Sequence, residues 1–138
     1  MSDNQNYNPG YLVVSKDKKV KIPTFFMKMA AIVFCYSGVP VFLLADIYVT
    51  IFQKTYFRMS GIPQLDRSDF IQIDRHKLPK LSLAQKVNCV YCGYANGVAA
   101  YFKAVVNHME VHSCAIKHIL NTPATEHQKD FYERSKFE

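Results

Sequence analysis

From Met29 to Phe52 the chain runs 24 residues with a single charged side chain, Asp46. As an α-helix that run is about 36 Å long, against a hydrocarbon core of roughly 30 Å, so it is long enough to cross a bilayer. Phe25, Phe26, Tyr56 and Phe57 sit near its ends with Lys28, Lys54 and Arg58, the aromatic and basic residues expected at a membrane interface. The competing reading is a long buried helix of a soluble bundle. A cleaved signal peptide fits poorly, because 28 residues precede the run and no small-x-small site follows it.

Two features complicate a simple span. Gly38-Val39-Pro40 interrupts the middle, where proline removes a helical hydrogen bond, so a kink or a re-entrant hairpin is expected. Each arm of such a hairpin is too short to span alone. Asp46 either meets a partner at membrane depth or lies near enough to the far interface to reach headgroups. Orientation is weakly marked. Five lysines fall within the 15 residues before Met29, and three basic residues, Lys54, Arg58 and Arg67, within the 15 after Phe52. That imbalance favours a cytoplasmic N-terminus. A single span then places a thiol-rich region outside, which is awkward unless the thiols hold a metal or a disulfide. A hairpin removes the conflict. Sidedness stays open.

The rest of the chain is of a different kind. Residues 1–22 are polar, with Lys16, Lys18, Lys19 and Lys21 close together, and read as a basic mobile arm with a short strand at most around Tyr11–Val14. Residues 23–58 form the membrane segment. Residues 59–81 are a mixed-charge linker with Pro63 and Pro79, in which Phe70-Ile-Gln-Ile-Asp74 alternates as a short strand or extended segment does. His76 there reads as a solvated loop residue. The formal charge of +6 over 138 residues suits anionic lipid, nucleic acid or an acidic partner without choosing among them, and 49% apolar content excludes wholesale disorder. The expected class is mainly α: one membrane helix, or a kinked or re-entrant hairpin, plus a small helical C-terminal region.

That region spans 82–120, with a polar tail or frayed short helix over 121–138. Ser82-x-x-Gln85 fits a capping box. Ala84, Val87, Tyr91, Tyr94, Val98, Phe102, Val105, Met109, His112, Ile116 and Ile119 then follow at steps of three and four, the spacing of one buried helical face. Gly93 and Gly97 stand at a GxxxG spacing and mark a turn or a flat place where another helix packs. With Asp46 they are the candidate contacts to partner subunits in a membrane.

Four side chains in this region carry metal-binding chemistry. Cys89 and Cys92 form a CxxC pair, and Cys114 and His118 sit at i, i+4. Thiolates and an imidazole at these spacings suit zinc, and iron less well, since iron more often takes four cysteines. His108 and His112 are the second choice for the paired histidines. One straight helix over 89–118 would hold Cys92 and Cys114 about 33 Å apart, so the site requires the chain to fold back near Gly93–Gly97 or Asn107–Ser113. Free packing thiols and a redox pair are the alternatives. Cys35, inside the apolar run, reads as a small buried hydrophobe.

Asn88-Cys89-Val-Tyr91-Cys92-Gly-Tyr94-Ala-Asn96-Gly97 followed by Cys114-Ala-Ile116-Lys117-His118 resembles a pattern of small uncharacterised bacterial proteins, over roughly residues 74–118. The resemblance implies that the two cysteine segments belong together, favours Cys114 and His118 over His108 and His112, and implies a bacterial inner membrane. It carries no activity. Cys-Val-Tyr-Cys also resembles the glutaredoxin Cys-Pro-Tyr-Cys, but that motif opens a helix after a strand, whereas here the helical pattern has already begun at Ser82.

Phosphate loops, a nucleophile elbow and His-Glu-x-x-His are missing from the sequence. The aromatic residues fall at helical or membrane positions, so nucleic acid is not an expected partner. The leading expectation is a membrane-anchored metal-binding accessory or assembly subunit, whose zinc form should not be catalytic because a closed four-ligand site has no open position. Membrane lipid and other membrane subunits are its expected partners. A CxxC thiol oxidoreductase and a purely structural membrane subunit are the alternatives.

Overall fold

The computed structural model describes residues 24–120 and 122–138. The arm over 1–22 and its short strand lie outside them. The fold is mainly α, with no strand among the described residues beyond one isolated bridge, Ile116 to Tyr132. Helix α1 runs Phe25–Phe52, passes through a π turn at Gln53–Phe57, and closes in the short α2, Arg58–Ser60. Together they make one continuous rod, Phe25–Ser60. Helix α3 runs Leu83–Ser113.

Pro40 lies inside α1 without interrupting it, so the re-entrant hairpin is corrected to a single helix. The loss of one backbone bond is tolerated because the remaining ladder on both sides holds the helix. The rod ends where glycine can turn the chain. Gly61 takes φ 68°, and the Ile62 amide bonds the Phe57 carbonyl at 2.9 Å. That is a Schellman closure, and its usual apolar contact is present: Ile62 and Phe57 are both buried in the same cluster.

Helix α3 begins as the sequence predicts. Ser82 Oγ accepts from the Gln85 amide at 3.4 Å, and Gln85 Oε1 accepts from the Ser82 amide at 2.9 Å. It then packs parallel to α1. Tyr91 stacks near Tyr36, Tyr94 reaches Asp46, Phe102 stacks on Tyr48 and His108 lies on Phe57, so contacts climb both helices together. The core sits at the upper end: Val49, Phe57, Ile62, Tyr101 and Val105 are buried, with Phe52, Phe70, Phe102 and Met109 against them. The expected stripe holds at Val98, Phe102, Val105 and Met109. It fails at Ala84, Val87 and His112, which are exposed, while Gln85 is buried instead.

Two parallel helices need a long return, and residues 61–82 supply it as a strap. Gln53, buried in the π turn, donates through Nε2 to the Leu65 carbonyl at 2.9 Å and accepts from the Leu65 amide at 3.4 Å. The strap then crosses α3 at the glycines. A Cβ on Gly97 would stand 2.8 Å from Ile71 Cα and 2.8 Å from the Phe70 carbonyl, and one on Gly93 would stand 3.2 Å from the Gln72 carbonyl. The glycines thus admit this chain's own strap, rather than a turn or a second helix. The alternating segment 70–74 forms no strand; its backbone lies on α3 instead.

Helix α3 stops at Ser113, short of the expected 120. Ile116 and Ile119 are corrected from its stripe to the chain beyond it. There the Tyr132 amide bonds the Ala115 carbonyl, and the Lys117 amide bonds the Tyr132 carbonyl, at 2.9 and 3.0 Å. This pairing with the C-terminal segment replaces helical bonds that would otherwise continue. The segment expected as a polar tail is therefore partly docked, with Gln128 and Phe131 buried.

The Gly97 contact gives a sharp test. Gly97→Ala drives a Cβ against backbone and should destabilise by about 1–3 kcal/mol, less the ~1 kcal/mol that alanine gains in a helix. Gly93→Ala, facing a looser neighbour, should be close to neutral. Urea unfolding in detergent, followed by circular dichroism, separates the two.

Candidate functional site

The most polar cluster inside the molecule centres on the residue that the apolar run should not contain. Asp46 is 8% exposed. Arg67, from the strap, donates through Nε to Oδ1 at 2.8 Å and through Nη2 to Oδ2 at 2.5 Å. This two-pronged geometry is the one that guanidinium and carboxylate match best. Tyr94 of α3 donates to Oδ2 at 2.8 Å. Thr50, one turn on, and the buried Tyr101 lie beside this cluster. Burial, then the bonded carboxylate, push the Tyr94 phenol above its ordinary range, which keeps it a donor.

Asp46 thus ties α1, the strap and α3 at one point. Of the two readings of Asp46, a partner contact or a reach to headgroups, the structure supplies partners within the chain, Arg67 and Tyr94. The sequence marks neither as its partner: Arg67 reads there as a basic residue flanking the apolar run, and Tyr94 as one more stripe position. Next to Arg67, the Ser68 amide and then its hydroxyl hold the exposed Asp66 carboxyl below its ordinary range. That turn sets the direction in which Arg67 leaves the strap.

The expected metal ligands are not brought together. Cys89 and Cys92 lie on one face in the interior of α3, Cys114 caps the helix end, and His118 lies in the segment beyond. The helix is unbroken through Gly93–Gly97 and through Asn107–Ser113, the two places where folding back was required. Cys92 and Cys114 therefore stand about 33 Å apart along the axis. His108 and His112 fare no better. Their rings touch, 4.7 Å between centroids, but His108 lies about 24 Å along the helix from Cys92. All four cysteines are free thiols, and among the described residues no three His, Cys, Asp or Glu side chains stand as a ready metal cage.

His118 has other company. Glu110 Oε1 lies 3.7 Å from His118 Nε2 and accepts from Gln128 Nε2 at 2.7 Å, while Glu110 Oε2 is 2.7 Å from His127 Nε2. Gln128 Oε1 in turn accepts from the His118 amide at 3.2 Å. Glu110 and Gln128 are the hinge pins of the docked C-terminal segment. No sequence spacing announces this cluster, because its other members lie 8, 17 and 18 positions beyond Glu110, past the end of α3.

The cysteine pair also lacks the setting of an exchanging dithiol. Such pairs sit at a helix N-terminus, where amides stabilise a thiolate. Cys89 is six residues inside α3, beyond its first turn.

Two outcomes follow. Arg67→Leu leaves an inward carboxylate without its counter-ion and should cost about 2–3 kcal/mol, below the range for a fully buried pair because the Arg67 side chain is 43% exposed and water screens it. The Asp46→Leu/Arg67→Leu double variant should recover most of that loss, since whole ion pairs exchange for apolar residues nearly neutrally. Unfolding free energies of the wild type, the Arg67→Leu and Asp46→Leu single variants and the double variant complete the cycle. The chain matches no protein-family model, no curated protein and no solved structure.

Proposed function

We propose that the protein is a structural membrane subunit, held to lipid by the outward face of α1. One observation carries this reading: α1 turns its single mid-helix carboxylate inward, beside the buried Val49, and leaves most of its apolar surface facing outward. Its buried or inward side chains include Asp46, and Gln53 follows in the π turn. Its exposed ones include Phe26, Val33, Phe34, Val41, Leu44, Ile47 and Ile51. Only 6% of its most apolar 18-residue window is buried. The core helix of a soluble protein has the opposite arrangement, and an unbroken apolar surface of this length in water is an association site or a hazard. In lipid it is the expected one, because polar groups turn inward and pair.

The signal-sequence reading fares poorly for a structural reason. Val49 and Phe57 belong to the core that α3 closes, so cutting the rod away removes two of its five buried residues. The metal-binding reading draws no support from the placement of Cys89, Cys92, Cys114 and His118. Asp46, Gly93 and Gly97, expected at subunit contacts, are occupied by Arg67, Tyr94 and the strap.

Val33, Leu44 and Ile51 are 67%, 68% and 60% exposed and share the outward face. Changing all three to Asp should release the protein from liposomes on flotation while its helical circular dichroism persists. Retention of the triple variant on liposomes would sink the proposal. The cysteines supply the complementary test. Cys89→Ser/Cys92→Ser should keep both liposome binding and unfolding midpoint, and a joint loss of bound zinc and fold would restore the metal reading.

A further inference from the structure

The lipid-binding reading leaves open how the rod lies, and the strap answers it. Resting on that reading, we infer that α1 lies in the plane of the membrane as a one-sided float, with α3 and the strap on the aqueous side, and does not cross the bilayer.

The reasoning is one of levels along the rod. Tyr91 donates to the Cys35 carbonyl at 2.7 Å and its hydroxyl lies against Gly38, while Tyr94 meets Asp46. The α3 stretch 91–97 therefore stands beside α1 residues 35–46. That is the middle of the rod Phe25–Ser60. The strap lies on this same stretch of α3: Phe70 and Ile71 against Gly97, and Gln72 and Arg75 against Gly93. Arg67 meets Asp46 just above it.

The strap side chains there are ionic and open. Arg67, Asp69, Asp74, Arg75 and Lys77 are all exposed. If the rod crossed a bilayer at its middle, these charges and the strap's irregular backbone would lie at hydrocarbon depth. Irregular backbone facing lipid is not tolerated there, and each charge is costly. Laying the rod flat removes every such conflict. The strap side meets water, and the outward stripe through Phe26, Val33, Leu44 and Ile51 meets acyl chains.

The high hydropathy of α1 fits this seat. A lone interfacial helix has one apolar face, but α1 has two apolar duties: one stripe packs on α3 and the other faces lipid. The amphipathic object is the whole helix pair with its strap. The flat seat also leaves all four free cysteines on one side of the membrane, without the conflict that a span creates.

The chain contains no tryptophan, so single probes report cleanly. Val33→Trp, Leu44→Trp and Ile51→Trp place three indoles on the outward face over about 27 Å of helix. Lys77→Trp places one on the strap. Each full-length variant is bound to liposomes of mixed zwitterionic and anionic lipid, brominated at shallow or deep acyl positions, and its fluorescence quenching is measured. A flat helix predicts one common depth for the three outward probes and no quenching of the strap probe. In wild-type protein bound to sealed vesicles, Lys28 and Lys54 should react with a membrane-impermeant amine reagent from the same side. An indole at position 44 lying deeper than those at 33 and 51, or lysines labelled from opposite sides, would show a span and overturn the inference while the membrane reading stands. Quenching of the strap probe would overturn it as well. Failure of the wild-type protein to float with liposomes would overturn both.

Discussion

A carboxylate in the middle of an apolar helix is a demand that the rest of the chain must meet. Asp46 cannot remain unpaired away from water, and a lone charge there would protonate or unfold its surroundings. Arg67 meets the demand with both prongs, Tyr94 with a hydroxyl. To bring Arg67 to that point, the strap has to leave the top of the rod and run back along it. To bring Tyr94 there, α3 has to stand beside α1. The Schellman turn at Gly61, the Gln53 clamp on Leu65 and the glycine shelf at Gly93 and Gly97 all serve that return path. The buried cluster around Tyr101 and Val105 closes over it.

The same geometry explains why the cysteine and histidine set divides. An α-helix is a ruler of about 1.5 Å per residue, and ligands spread over more than twenty residues of it cannot share an ion. Gly93 and Gly97 looked like breaks because glycine weakens a helix. Here the cost in helix propensity, about 1 kcal/mol each, is offset by the close approach of the strap backbone that only glycine permits. Such residues are spatially specific and locally unfavourable, a combination that sequence periodicity reads as a turn.

Helix α1 also shows why a hydropathy run alone does not give topology. Its apolar residues fall into two sets: Val49, with Phe57 beyond it, faces α3, while Val33, Leu44 and Ile51 face outward. The run length counts both sets together. Only the neighbours separate protein-facing from outward-facing surface, and the ionic strap beside the rod's middle decides which environment that middle can enter.

How much was legible depends on the distance over which each feature is encoded. The α1 rod, the capping box at Ser82 and Gln85 and the central stripe of α3 are written in residues one to four apart, and local backbone geometry reads them directly. That Asp46 needs either a partner or a polar interface was legible too, because it follows from charge and surroundings alone. Which residue answers was not. Arg67 lies 21 positions away and Tyr94 lies 48, and no periodicity links them. The parallel setting of α1 and α3, the docking of Gln128 on Glu110 and the early end of α3 at Ser113 depend on pairing between distant segments. By itself the sequence determined that this chain must place a long apolar helix and find company for one carboxylate. The tertiary structure decided that the company is internal, and that the helix keeps a single open face, because only folding brings the strap and α3 against the other side.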